Sequence, residues 1–334
     1  MFYIFKALNS ILIIRFSAIG DIVLTSAIVR CVRAKYPNAK IHFLVKKKFR
    51  GAIESNKYIN KCISFVDHPL EIIEDLKIEN YDFVVDLQRN AKSLFVRRKL
   101  KCNSATFPKL NIQKFLLTKL KINKLPKIHV VDRYFLAVKK LDVYNDNQGL
   151  DFFITDENKL FDKDQLSQLH GNFIALVLGA TYFTKRIPHE KLEEIIEGIK
   201  STVILLGGKD ENELGERLSK KYSNVINIAG KTSLQQSAHY LKNASSVITS
   251  DTGLMHIAAA FQKRIITIWG NTVPDFGMYA YMPNKLENNI MLEVNNLNCR
   301  PCSKLGHTKC PKKHFKCMIN QDASKIASLA EQRF

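Results

Sequence analysis

Short apolar runs alternate with amphipathic stretches along most of the chain. Ile11–Ile14, Ile41–Val45, Cys62–Val66 and Asp82–Leu87 are brief runs of the length and composition of buried strands. Between the first two, Asp21–Lys35 carries apolar residues at Ile22, Leu24, Ala27, Ile28, Cys31 and Val32, a spacing that predicts one amphipathic helix closing before Pro37. Further helices are predicted around Arg50–Asn56 and Leu70–Ile78, and helical patterns dominate from Ala91 to Leu141. A second series follows the polar stretch 156–171. Phe173–Leu178, Val203–Leu206, Val225–Ile228, Val247–Thr249 and Ile265–Trp269 read as strands. Pro188–Ile199, Glu211–Lys221, Leu234–Asn243 and Thr252–Phe261 read as the helices between them. Strand and helix in repeated alternation predict parallel sheets covered by helices. Two doubly wound α/β halves are therefore expected, 1–160 and 161–334, with ligands outside the carboxyl ends of the strands and in the cleft between the halves.

Composition narrows the class. The 334 residues are 46% hydrophobic and 25% charged, as in globular domains. No apolar run reaches the roughly 18–20 residues that cross a bilayer. The greasy start is interrupted by Lys6, Asn9, Ser10 and Arg15, so a first strand is expected rather than a signal peptide, and with it a cytoplasmic location. Net charge is +20 and unevenly placed: residues 1–150 hold 28 Lys+Arg against 12 Asp+Glu, and the stretch Arg89–Lys140 has 15 bases and a single acid, Asp132. Such an excess is either a solvated basic surface or an attraction to a polyanion. Nucleic acid is not the expected partner, because the basic stretch contains no recognisable binding motif. A dinucleotide-dependent oxidoreductase is disfavoured by the absence of G-x-G-x-x-G.

Three segments at the ends of expected strands carry candidate chemistry. Arg15-Phe-Ser-Ala-Ile-Gly-Asp21 follows the first strand, with Gly20 permitting a tight turn and Asp21 at a helix start, as a simple cap or as a reactive carboxylate. Gly179-Ala-Thr-Tyr-Phe-Thr-Lys-Arg-Ile-Pro188 combines small and hydroxyl residues with Lys185 and Arg186 ahead of a helix, as in a phosphate cradle or a basic surface loop. Ser250-Asp-Thr-Gly-Leu-Met-His-Ile-Ala-Ala-Ala260 opens another helix, where Thr252 and Gly253 can offer backbone N–H groups to a phosphate. His256, one turn after Thr252, is either a core histidine or faces the ligand. Cys299, Cys302, Cys310 and Cys317 form a late cluster that opens with C-x-x-C, which suits a structural zinc or a thiol-rich unliganded loop.

In order and spacing these segments resemble glycosyltransferase family 9, the lipopolysaccharide heptosyltransferases, from Ile11 to about Val294. Arg15–Asp21, Lys185-Arg-Ile-Pro188 and Asp251–Ala259 carry the likeness, with support from Leu205-Leu-Gly-Gly208 and Ile268-Trp-Gly270. The resemblance implies a GT-B fold of two Rossmann-like domains, an acceptor-binding N-terminal half and a donor-binding C-terminal half. It implies inverting, metal-independent transfer of a sugar from a nucleotide sugar, ADP-heptose in the family, to a lipid A–core acceptor. Asp21 would then be the general base and Lys185 the cation that meets the leaving diphosphate. Thr181, Lys185, Gly208, Glu211, Asp251, Thr252, Gly253 and His256 would bind the donor, and Ser17, Gly20 and Arg89 the acceptor. No cofactor or catalytic metal is implied, and the expected setting is the anionic inner face of the cytoplasmic membrane. One departure stands out: the family usually has Trp two residues after the Lys, where this chain has Ile187. That leaves a different nucleotide sugar open as the donor.

Overall fold

The structure is a computed structural model that describes residues 8–160, 169 and 172–332. It divides into two compact units, one formed by 1–109 with 128–153 and the other by 110–127 with 154–334. The boundary expected at 160/161 adjoins residues outside the described set, and segment 110–127 groups with the second unit rather than the first.

In the first unit five parallel strands lie in the order β3-β2-β1-β4-β5: β1 Ser10–Ile14, β2 Lys40–Lys46, β3 Lys61–Phe65, β4 Phe83–Asp86 and β5 Asn103–Thr106. The second unit holds six in the order β11-β10-β9-β6-β7-β8: β6 Phe173–Val177, β7 Thr202–Leu206, β8 Val225–Asn227, β9 Ser246–Ser250, β10 Arg264–Trp269 and β11 Asn289–Glu293. Every pairing is parallel. The central strands read as unbroken apolar runs because helices cover both faces; all five residues of β1 and of β6 are buried.

The two sheets are wound alike. Each first strand pairs with its second on one side and its fourth on the other, β1 between β2 and β4, β6 between β7 and β9. The chain therefore leaves β1 and β4 in opposite directions, and likewise β6 and β9. Loops part at those points and open a crevice at the carboxyl ends of the strands.

Several expected elements differ in detail. The helix expected over Asp21–Lys35 is two, Ile19–Val23 and Ser26–Lys35, since the Thr25 hydroxyl donates to the Ile22 carbonyl at 2.6 Å and tightens the junction. Arg50–Asn56 gives way to a 3-10 segment at Lys47–Ala52, and Leu70–Ile78 splits at Ile72 into 3-10 and α parts. The stretch Ala91–Leu141 is not helical throughout. It contains β5, whose sequence Asn-Ser-Ala-Thr has no apolar alternation and which pairs only with β4 at the sheet edge. β11 and the helix Ala323–Glu331 complete the second unit and were not anticipated. No helix among the described residues is long and apolar enough to cross a membrane.

Candidate active site

In the first unit the site is built where β1 and β4 end. Ile14 is paired with Asp86, which brings Arg15 beside Leu87 and Gln88. The buried Arg15 guanidinium donates to Leu87 O at 2.5 Å and Ser17 O at 2.8 Å, and its remaining edge meets Asp21 Oδ1 at 2.7 Å. Burial opposes this charge, but the Asp21 carboxylate, with a smaller share from Tyr134, outweighs it and holds the Arg15 pKa above the ordinary guanidinium value. The other carboxylate oxygen of Asp21 accepts from Ala18 N at 3.3 Å. Asp21 thus caps the helix and is also aimed by a rigid cation. Its side chain keeps 24% exposure, enough for a hydroxyl to reach it.

Gly20 has a different place from the one expected. It lies buried inside the helix Ile19–Val23, and the chain reverses over Phe16–Ala18 instead. Ser17 contributes its carbonyl to Arg15. Arg89, in a left-handed conformation (φ +48°), follows β4 and is fixed by the buried Asp86, whose Oδ1 accepts from Arg89 N at 2.7 Å. Its guanidinium donates to Phe107 O at 3.0 Å. Phe107 packs edge-on against Tyr134, over which Arg15 also sits. Lys109, two residues on, is half-buried near Arg15 and Asp21; burial, then Arg15, pushes its pKa down. Cationic groups therefore surround the Asp21 carboxylate.

In the second unit the site lies where β6 and β9 end. Lys185 Nζ meets Asp251 Oδ2 at 2.6 Å, an ion pair that joins the loops after β6 and β9. Thr272, just past β10, donates its hydroxyl to the same oxygen at 3.0 Å. Thr252 is the N-cap of helix Gly253–Ala260, accepting from Met255 N at 3.4 Å, so the free N–H groups of that helix start beside the Lys185–Asp251 pair. Gly253 is the first residue of the helix, and its lack of a side chain leaves the backbone approachable. His256 is almost fully buried within that helix. Thr181 is exposed in the loop after β6.

Glu211 is also buried. Its Oε2 accepts from Gly208 N at 2.9 Å, and Arg186 approaches Oε1 at 3.5 Å. The carboxylate lies against Gly179, where an added Cβ would stand 2.6 Å from Glu211 Cδ. Gly179→Ala is therefore expected to displace Glu211 and distort the loop that carries Lys185. Titration calorimetry with ADP should show affinity weakened by about tenfold or more, the scale of one lost charge-assisted hydrogen bond. An unchanged affinity would mean that Glu211 has no part in holding the nucleotide.

The cysteine-rich segment supports the Lys185 loop from behind. His307 N donates to Thr184 Oγ1 at 2.9 Å and Thr184 N to His307 O at 3.2 Å, while Phe183 stacks on Phe315. Gly306 has φ +144° and lies directly against Tyr182, leaving no room for a side chain. Cys299 Sγ stands 3.9 Å from His314 Nε2. Burial pushes the Cys317 thiol up to about 12. Among the described residues, no group of three or more His, Cys, Asp or Glu side chains is arranged to hold a metal ion. Ile187, which replaces the usual Trp, is buried in the hydrophobic core beneath the loop.

Three contributors were not singled out from sequence. Arg15 stood inside a quoted motif, but only the fold shows that its guanidinium aims Asp21. Thr272 and Lys109 carry no local signal; the ends of β10 and β5 bring them in.

Two like-wound parallel sheets, each with charged side chains at its switch point, define the two-domain α/β class, and the family follows from similarity to known proteins. Residues 70–313 match glycosyltransferase family 9 (heptosyltransferase). The chain is 30% identical to lipopolysaccharide heptosyltransferase 1 of Campylobacter coli over 78% of its own length and 84% of that protein's. It is 27% identical to lipooligosaccharide heptosyltransferase 2 of Haemophilus influenzae, over 80% and 85% of the two chains. Among solved structures it is similar to E. coli ADP-heptose LPS heptosyltransferase II, with a TM-score of 0.67, 20% identity and coverage of 97% of this chain and 100% of that one. E. coli heptosyltransferase WaaC with ADP gives 0.66 at 22% identity, covering 84% and 92%. The chain belongs to glycosyltransferase family 9.

Proposed function

We propose that this enzyme transfers a heptose from ADP-heptose to the core of a lipid A–based acceptor at the cytoplasmic face of a membrane, with inversion and without a metal. The Lys185–Asp251 pair at the β6/β9 switch point carries this reading: an ammonium held at 2.6 Å beside a helix start is a site built for phosphate. The names of the relatives supply the sugar and the acceptor.

Asp21 takes the proton of the acceptor hydroxyl as its oxygen bonds to the anomeric carbon. The bond from that carbon to the diphosphate breaks at the same time, and the nucleoside diphosphate leaves with the electron pair. Lys185 and the N–H groups of the Gly253 helix meet the growing negative charge. Arg15 keeps the Asp21 carboxylate oriented. Thr272 does the same for Asp251, which in turn places Lys185. The basic stretch Arg89–Lys140 favours an anionic surface and a phosphorylated acceptor.

A panel of nucleotide sugars, read by release of nucleotide, tests the donor. ADP-heptose is expected to be turned over fastest, and turnover of a uridine or guanosine donor alone would overturn the assignment. In the same assay, EDTA is expected to leave the rate unchanged, because Lys185 does the work of a divalent cation. Loss of activity that Mg²⁺ restores would refute that part.

A further inference from the structure

Segment 110–127 contains Lys114, Lys119, Lys121, Lys124 and Lys127 and not one Asp or Glu. It forms a helix over Asn111–Phe115 that continues as a wider turn over Leu116–Leu120. Leu117 is buried, but Ile112, Phe115, Leu120 and Ile122 are 74%, 57%, 57% and 46% exposed. Four large apolar side chains presented to solvent within one short segment are unusual for a surface with no partner.

The segment is held firmly. Lys121 Nζ donates to Cys299 O at 3.2 Å and Pro301 O at 2.8 Å, and Asn123 donates to Asp275 Oδ2 at 2.6 Å. Arg300 ties that turn to the end of β10 through the carbonyls of Gly270, Trp269 and Thr272. Thr272 in turn bonds Asp251, so the apolar side chains are anchored at the same end of the sheet as the donor-side pair.

We propose that segment 110–127 is a membrane-docking element. Ile112, Phe115, Leu120 and Ile122 enter the interfacial layer of an anionic bilayer, and Lys119, Lys124 and Lys127 contact its phosphate headgroups. Apolar side chains on a segment that carries five lysines and no acid suit that surface, with the Asp275 carboxylate bonded to it through Asn123. A second copy of this chain is a poor occupant, because it would bring its own +20 charge to the same cations. The inference rests on the membrane setting given above and narrows it from charge attraction to insertion by named residues. It also turns the Lys185–Asp251 end of the second sheet toward the lipid.

The test uses the full chain and vesicles of phosphatidylcholine with or without phosphatidylglycerol. Wild type is expected to sediment with the anionic vesicles and to remain partly bound in high salt. A variant with Ile112, Phe115, Leu120 and Ile122 all changed to Ser should keep its melting temperature, since these side chains are exposed, and bind about tenfold or more weakly. Phe115→Trp should shift its emission to the blue with vesicles and be quenched by brominated lipid. Salt-sensitive binding by wild type, matched by the quadruple variant and with no shift from the Trp, would overturn insertion and leave the membrane setting intact. Absence of wild-type binding would overturn both. Self-association of wild type that the quadruple variant abolishes, with vesicle binding unaltered, would assign the patch to a second copy instead.

Discussion

Asp21→Asn is expected to lower kcat by about 10²–10⁴-fold, the range supplied by a positioned general base, while donor affinity stays near that of wild type. The structure explains why this substitution is the milder one. An Asn oxygen can still accept from Arg15, and Arg15 keeps its bonds to Leu87 O and Ser17 O. The Asn variant loses the capacity to take a proton and the negative charge beside Arg15, and its NH2, in place of the second oxygen, cannot accept from Ala18 N. Asp21→Ala serves as a contrast, because it leaves the buried guanidinium with no acceptor at all in that place. Both variants should lose some thermal stability, the Ala variant more, because the Asn oxygen still accepts from Arg15. Steady-state kinetics together with thermal melts separate the two. Transfer within a few-fold of wild type in the Asn variant would remove Asp21 from the proton transfer.

Lys185→Ala is expected to weaken binding of the donor and of free ADP, and to slow transfer by a further factor on the order of 10²–10³, the scale of losing one group that stabilises developing charge. Removing the ammonium also leaves Asp251, only 14% exposed, without its counter-charge, held by the Thr272 hydroxyl at 3.0 Å and facing an incoming diphosphate. Loss of attraction and new repulsion act in the same direction. Lys185→Arg should recover part of the ADP affinity, since the charge remains but the planar fork cannot occupy the same position. Calorimetry with ADP measures the effect without the acceptor. A merely structural ion pair would behave differently: Lys185→Ala would lower the melting temperature and leave ADP affinity unchanged.

The likeness to the family lay in segments that follow strands, and those strands were readable because a central parallel strand is apolar on both faces. β1, β2, β6, β7, β9 and β10 fall within a residue or so of the apolar runs that predicted them. β5 escaped for the complementary reason: it lies at an edge, pairs on one side and buries less, so its residues need not be apolar, while β11, also at an edge, has only the three apolar residues Ile290–Leu292. Asp21, Lys185 and Thr252 could be picked out because a residue at a strand's carboxyl end has its position fixed by the strand before it. His256 shows what that reasoning leaves out, as helical spacing from Thr252 did not reveal how deeply it is buried.

Sequence alone determined the two series of parallel strands, the helices between them and the charged residues at the strand ends, because hydrophobic periodicity and loop position are local properties. Only the tertiary structure decided which of those residues meet. Strand order set Ile14 beside Asp86 and so placed Arg15, and it joined Lys185 to Asp251 across 66 residues. It drew Thr272 to Asp251, folded the cysteine-rich segment behind the Lys185 loop and fixed Lys121 to Cys299, 178 residues away. Such contacts depend on the winding of the sheet and on where distant loops come to rest, and no pattern within a short stretch of chain encodes them.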